Sequence, residues 1–111
     1  MKKEPLVDVC VITYNHEDFI STCLESILAQ SYQNFRILVG DDASTDNTQK
    51  IVKSYQDRFP GKIQLISSMV NTGASANCNR VVSEIKGKYI AWISGDDSML
   101  PEKLNRQVEY M

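Results

Sequence analysis

Two pairs of adjacent aspartates, Asp41-Asp42 and Asp96-Asp97, each follow an apolar run of the sequence. Carboxylate oxygens are ligands that Mg²⁺ and Mn²⁺ prefer, and these ions often join one or two protein carboxylates to the phosphates of a nucleotide. Asp96-Asp97 is the better metal candidate, because a packed strand before it would hold it firmly. Neighbouring residues that leave a strand point in different directions, so one carboxylate can bind the metal while the other meets the sugar or ribose.

Asp41-Asp42 fits a different role, which is to accept a hydrogen bond from a nucleobase. A carboxylate accepts strong hydrogen bonds from a ring N–H, and a uracil-type base offers such a donor. Tyr14 can pack its aromatic face on that base. Asn71 and Gly73 would let amide and backbone groups approach the ligand closely. These residue types predict a nucleotide site with a divalent ion.

Four apolar runs of strand length alternate with amphipathic segments, at residues 6–12, 35–39, 63–66 and 89–93. The alternation predicts one α/β domain over residues 1–111, with a mostly parallel sheet and helices on both faces. The third run is the shortest and is expected near a sheet edge. In such sheets ligands bind beyond the carboxyl ends of the strands, where the strand order reverses. Polar or acidic residues follow all four runs, so we expect one shared edge for Thr13-Tyr14-Asn15, Asp41-Asp42, Asn71-Thr72-Gly73 and Asp96-Asp97.

Apolar residues between the runs recur at helical spacing and predict three helices, with a fourth after the last run. Ser44 and Thr45 are the N-cap candidates of the second helix. Gly87 stands where the third helix would have a C-terminal glycine. Pro101 would open the fourth helix, whose apolar stripe extends to Val108.

The composition excludes several functional classes. The chain has 111 residues, a net charge of −2 and scattered charges, which argues against a nucleic-acid-binding surface. No Walker loop or GxGxxG motif is present, which excludes P-loop and dinucleotide-binding proteins of the usual kind. His16, the single histidine, is expected to begin a helix, and Trp92 is expected in the core. An odd number of cysteines without a CxxC pair predicts buried free thiols in a reducing, cytoplasmic setting; they are Cys10, Cys23 and Cys78. We expect no secretion signal or membrane-spanning segment.

Each motif also has a simpler explanation. Residues 42–48 could form a capped turn, and Asp96-Asp97 could be solvated charge near a helix start. Tyr14 could be a core aromatic, and Asn15 and Asn71 could be turn residues. Their joint placement at successive strand ends favours a binding site over these separate explanations.

The segments VCVITYNHEDFISTCLESILAQSY, FRILVGDDASTDNT and NTGASANCNRVVSEIKGKYIAWISGDD resemble glycosyltransferase family 2. The resemblance implies a GT-A fold with a Rossmann-like nucleotide-binding half, and transfer that inverts configuration at the sugar. It implies a nucleotide-diphosphate sugar donor, preferably a UDP-sugar, a glycan or lipid-linked acceptor, and Mg²⁺ or Mn²⁺. Polysaccharide synthesis at the cytoplasmic face of a membrane would suit such an enzyme.

The resemblance also assigns roles to residues. It places Thr13, Tyr14 and Asn15 in the nucleoside pocket and makes Asp42, with Asp41 beside it, the base-contacting carboxylate. The DxD-type site that meets ribose, diphosphate and metal would be Asp96 and Asp97, and both would be metal ligands. The family's preceding loop and helix are matched by Asn71, Gly73 and Asn79.

Three positions depart from the family's usual pattern. Ile12 replaces a proline, Cys78 an Arg or Lys that approaches the phosphates, and Ser94 the first Asp of a fuller motif. In the family the general base lies well downstream of the DxD-type motif. We therefore expect it beyond residue 111, and expect the isolated chain to be inactive and to self-associate through an exposed apolar edge.

Three other functions remain open. A receiver-type signalling domain would need an acidic pair after the first strand and a lone Asp after the third, and neither is present. A nucleotidyltransferase would open with a glycine-rich basic loop, which is also missing. A non-catalytic nucleotide-binding module is the serious alternative for the isolated chain.

Overall fold

The computed structural model describes residues 5–104, which form four strands and three helices. Residues 103 and 104 are helical, but Val108 lies outside the described residues. The longest helix has 11 residues, so no helix in this part of the chain could cross a bilayer. In chain order the elements are β1 Val7–Thr13, α1 Ile20–Leu28, β2 Phe35–Asp41, α2 Thr48–Arg58, β3 Ile63–Ser67, α3 Ala74–Val82 and β4 Tyr89–Ser94.

The four strands form one parallel sheet in the order β3-β2-β1-β4. The chain moves outward from β1 to β2 and β3, and then returns through α3 to place β4 on the other side of β1. The strand order therefore reverses between β1 and β4, which is where an open α/β sheet binds ligands. The predicted fold class is confirmed, and so is the position of the short β3 at a sheet edge.

The larger core lies on the face of the sheet covered by α1 and α2. Alternate strand residues point to this face, and the apolar stripes of the two helices pack on them. Its residues from the central strands and first two helices include Val9, Val11, Ile37, Val39, Ile20, Cys23, Leu24, Ile27 and Val52.

The opposite face has a smaller core beneath α3, made of Cys10, Leu38 and Val81. Trp92 lies on this face because it pairs with Cys10 across the β1–β4 ladder. α3 contacts β1 and β2, and the Trp92 side chain stays 44% exposed. The prediction that Trp92 belongs to the core is therefore wrong.

Two predicted helix ends are also wrong. α2 begins at Thr48, because the carboxylate of Asp46 accepts hydrogen bonds from the Thr48 backbone and hydroxyl at 2.9 and 2.5 Å. Ser44 instead hydrogen-bonds back to Asp41, at the end of β2. Gly87 lies beyond the end of α3, and a Cβ there would be 2.8 Å from the Leu6 carbonyl oxygen, so the glycine permits close packing on β1.

Asp8 holds the other end of the sheet together. Its buried carboxylate accepts hydrogen bonds from Arg36 Nε at 2.9 Å and from the backbone N–H groups of Lys86 and Gly87 at 2.7 and 2.6 Å. Burial alone would raise the pKa of Asp8, but these hydrogen bonds outweigh it and lower the pKa. This residue therefore ties β1, β2 and the entry to β4 together as an ionised carboxylate.

Candidate functional site

A cavity of about 460 Å³ opens at the carboxyl edge of the sheet, beside the reversal of strand order. The end of β1, the segment after β2 and the end of β4 meet there with the start of α3. The cavity is lined by Ile12, Thr13, Tyr14, His16, Asp42, Asn71, Gly73, Ala74, Asn77 and Ser94. All four polar segments predicted from the sequence lie at this edge, as the strand pairing requires.

Thr13, at the end of β1, and His16, in the loop after it, are neighbours in the cavity wall. Their side chains share a hydrogen bond of 2.8 Å between Thr13 Oγ1 and His16 Nδ1. The other ring nitrogen, His16 Nε2, lies 4.0 Å from Asp96 Oδ2. Gly95 allows this arrangement, since a Cβ there would lie 2.5 Å from Thr13 Oγ1. The prediction that His16 begins a helix is wrong, because α1 begins at Ile20 with Phe19 as its N-cap. His16 lies in the preceding turn, where its carbonyl accepts the N–H groups of Phe19 and Ile20, and its side chain lines the cavity.

Asp42 is buried against the loop that precedes α3. Its Oδ1 accepts hydrogen bonds from the Thr72 N–H and hydroxyl, both at 2.9 Å, and from Arg80 at 3.1 Å. Its Oδ2 accepts the Gly73 N–H at 2.8 Å. These hydrogen bonds, first of all the one from the Thr72 backbone, hold the pKa of Asp42 below its ordinary value. Asp42 is therefore an ionised acceptor in the wall of the cavity.

Asp41 is placed differently from its neighbour. Its carboxylate is buried and accepts hydrogen bonds from the Ser44 N–H at 2.9 Å and from the Gln49 side chain at 2.6 Å. It does not line the cavity. The carboxylate thus fixes the turn between β2 and α2.

Asn15 also lies outside the cavity lining. Its φ of 53° is left-handed, and its Oδ1 accepts the Thr45 N–H at 2.8 Å. Asn15 therefore connects the loop after β1 with the loop after β2, and holds two walls of the cavity in register.

Asp96 and Asp97 follow β4 and are exposed to solvent. The Ser94 side chain, and then His16, lower the pKa of Asp96. Within residues 5–104 no three His, Cys, Asp or Glu side chains gather into a group that could hold a metal ion. Two carboxylates suit Mg²⁺ or Mn²⁺ when phosphate oxygens and water complete the coordination. The residues present fit a metal that arrives with its nucleotide.

Tyr14, Asn71 and Gly73 line the cavity. Tyr14 is 42% exposed, so its ring is accessible to a ligand. Gly73 has a φ of 91°, a conformation that favours glycine, and this turns its N–H toward Asp42. Asn79 is exposed and does not line the cavity, which Asn77 does.

Asn77 and Arg80 were missed by sequence reasoning. Asn77 is buried and donates from Nδ2 to the Gly40 carbonyl at 2.9 Å, which fastens α3 to β2. Arg80 lies one helical turn later, and its guanidinium donates to Asn77 Oδ1 at 3.2 Å. Asn77 and Arg80 are three residues apart, a spacing that places two side chains on one face of a helix, and this spacing could have predicted their contact.

The chain is similar to known proteins along nearly its whole length. The family model described as glycosyl transferase family 2 matches residues 8–111. The putative glycosyltransferase EpsE of Bacillus subtilis is 39% identical over 111 residues, which are 100% of this chain and 40% of EpsE. This chain thus spans about two fifths of that relative.

Two solved structures share the fold. S. aureus TarS 1-349 in complex with UDP has a TM-score of 0.84 and 27% identity, over 94% of this chain and 31% of that one. The mannosyltransferase PcManGT from Pyrobaculum calidifontis, in complex with GDP-Man and Mn²⁺, has a TM-score of 0.89 and 25% identity, over 97% of this chain and 32% of that one.

Proposed function

Because the chain belongs to glycosyltransferase family 2, we propose that it binds the nucleotide-sugar donor of an inverting glycosyltransferase. The donor is a sugar nucleoside diphosphate, preferably a UDP-sugar, and the acceptor is a glycan or a lipid-linked glycan. One observation carries the proposal: Tyr14, Asp42, Gly73 and His16 line one cavity, and Asp96, just outside that lining, lies 4.0 Å from His16.

The wall residues suggest how the donor would lie. The ionised Asp42 would accept a ring N–H of the base, and Tyr14 would pack on the base. Thr13, Asn71 and the Gly73 backbone would border the nucleoside. The other proposed site residues lie outside the cavity lining; they are Asn15, Asp41, Asn79, Asp96 and Asp97.

Asp96 and Asp97 would meet the ribose and diphosphate and hold Mg²⁺ or Mn²⁺. That ion would offset the charge that builds on the leaving diphosphate. PcManGT was solved with GDP-Man and Mn²⁺, and TarS with UDP, which supports this assignment. Since the chain spans 40% of EpsE, we propose that acceptor binding and the general base lie outside it. We also propose a cytoplasmic setting, which the three free thiols favour.

Calorimetric titration of the 111-residue chain with UDP, GDP and CDP, with and without Mn²⁺, tests the proposal. We expect UDP to bind with Mn²⁺, and Asp97→Ala to weaken that binding by about tenfold or more, as loss of one charged ligand should. Asp57→Ala is the matched control, because this exposed aspartate lies near the far end of α2.

Two results would contradict the proposal. One is a wild-type chain that binds none of the three nucleotides. The other is an equal loss of affinity in Asp97→Ala and Asp57→Ala, which would mean that the effect comes from net charge and not from a ligand position.

We further propose that two copies of the chain associate through β4. Among the described residues no strand pairs with the outer edge of β4. Ile90 and Trp92 on this strand are 40% and 44% exposed, and a second copy offers the same edge and apolar pair for two-fold pairing. Light scattering should show dimers that Trp92→Ser reduces. A monomer at high concentration would rule this association out.

A further inference from the structure

Arg80 lies behind the cavity wall and contacts two of its lining residues, Asp42 and Asn77, together with Thr72 of the adjoining loop. It donates from Nη1 to Thr72 Oγ1 at 2.8 Å, and from Nη2 to Asp42 Oδ1 at 3.1 Å and Asn77 Oδ1 at 3.2 Å. The Arg80 side chain is 27% exposed and that of Asp42 is 7% exposed. Water therefore screens this ion pair less than it would screen a pair on the open surface.

The two oxygens of Asp42 are used unequally. Oδ1 accepts three hydrogen bonds, from the Thr72 N–H, the Thr72 hydroxyl and Arg80. Oδ2 accepts one, from the Gly73 N–H. Since a carboxylate oxygen offers about two lone-pair positions, Oδ1 is fully used and Oδ2 retains one. That position on Oδ2 is what Asp42 can offer to a ligand.

The Thr72 hydroxyl links the cation to the carboxylate. It accepts a hydrogen bond from Arg80 Nη1, so its own proton is directed to Asp42 Oδ1. Arg80 thus acts on Asp42 directly and through Thr72. Without Arg80, Oδ1 would lose the guanidinium donor and the Thr72 hydroxyl would be free to rotate away, so that only the Thr72 N–H would remain as a fixed donor to Oδ1.

Direct phosphate binding by Arg80 is the alternative, and its contacts argue against it. Both Nη atoms already donate to Thr72, Asp42 and Asn77. Arg80 Nε is buried and has no acceptor among residues 5–104. The three hydrogen bonds of the Nη atoms therefore direct the guanidinium toward Asp42 and its neighbours.

We propose that Arg80 is a positioning residue that leaves only Asp42 Oδ2 open, so that the site selects bases with a ring N–H. Uracil and guanine carry such an N–H, whereas cytosine and adenine present a ring lone pair at the corresponding position. A lone pair facing the carboxylate would be repelled, and the buried acceptor would lose its partner. This inference rests on the proposed donor-binding function.

The test compares UDP with CDP on the full 111-residue chain in Mn²⁺. Arg80→Gln removes the charge, Arg80→Lys keeps the charge without the two-nitrogen geometry, and Lys53→Gln is the matched control on the exposed face of α2. We expect Arg80→Gln to weaken UDP binding about tenfold and CDP binding less than about twofold, which narrows the UDP-to-CDP ratio. The ratio of UDP affinity to CDP affinity in Arg80→Lys should lie between those of Arg80→Gln and the wild-type chain, and Lys53→Gln should keep the wild-type ratio.

An unchanged ratio of UDP affinity to CDP affinity in Arg80→Gln would overturn the inference. Such a result includes equal weakening of UDP and CDP binding, which would indicate structural damage to the site. If Arg80→Gln fails to fold in thermal denaturation, the ratio measured for Arg80→Lys decides by the same criterion. A wild-type chain that binds UDP but shows no preference over CDP overturns the inference alone. A wild-type chain that binds neither overturns the proposed function as well.

Discussion

Replacing Gly95 by alanine should disturb the fold and the site together. An alanine Cβ would lie 2.5 Å from Thr13 Oγ1, 2.7 Å from Thr13 Cβ and 2.9 Å from His16 Nδ1. Thr13 belongs to the central strand β1 and cannot retreat far, so the segment after β4 must move and the hydrogen bond between Thr13 and His16 is strained. Overpacking of this kind costs about 1–3 kcal/mol.

That cost should appear in thermal unfolding, because each kcal/mol shifts Tm by about 4–8 °C in a domain of this size. UDP affinity should fall as well, since Asp96 follows Gly95 directly. Gly61→Ala is the matched control: its Cβ meets nothing within 4 Å, but its φ of 80° makes alanine strained. Gly61→Ala should therefore cost about 1–2 kcal/mol without changing UDP affinity. An unchanged Tm in Gly95→Ala, or equal UDP affinity in the two variants, would refute the argument.

Three further predictions follow from charge and burial. The pKa of Asp8 is lowered by folding, so its stabilisation is present at neutral pH and is lost as the pH falls through its folded pKa, which lies below the ordinary aspartate value. Urea unfolding should show that Asp8→Asn costs about 2–3 kcal/mol at pH 7 and flattens this acid dependence. Burial raises the pKa of the Cys10 and Cys23 thiols to about 12, so mass spectrometry of the alkylated native chain should find Cys78 modified first and the other two only after unfolding. Mn²⁺ should bind at least about tenfold more tightly when UDP is present, because the described residues supply no three-ligand group; equal calorimetric affinity with and without UDP would contradict this.

The fold could be predicted from the sequence because its strands are nearly unbroken apolar runs. Buried parallel strands need apolar residues on both faces, and the helices between them need only one apolar stripe. The predicted strands therefore match the observed ones to within two residues, as with residues 35–39 against Phe35–Asp41. Strand ends were harder to predict, because Gly40 and Asp41 continue the ladder with β1 despite their low strand propensity.

Exposure at the sheet edge could not be predicted, because it depends on which helix covers which strand. Trp92 has the composition of a core residue, and its partner Cys10 is fully buried. α3 packs over β1 and β2, so the same face is covered at Cys10 and open at Trp92. The sequence around Trp92 does not indicate over which strands α3 packs.

The contrast between Asp41 and Asp42 shows what a motif leaves undetermined. The sequence places both carboxylates at the correct edge of the sheet, but successive side chains leave a strand in opposite directions. Asp41 consequently turns to Ser44 and Gln49 and stabilises the start of the next segment. Asp42 turns to Thr72, 30 residues away in the sequence, and accepts a hydrogen bond from the guanidinium of Arg80, 38 residues away. The chemical difference between two identical neighbours is therefore set by long-range contacts, and the choice of nucleobase would depend on those contacts more than on the aspartate itself.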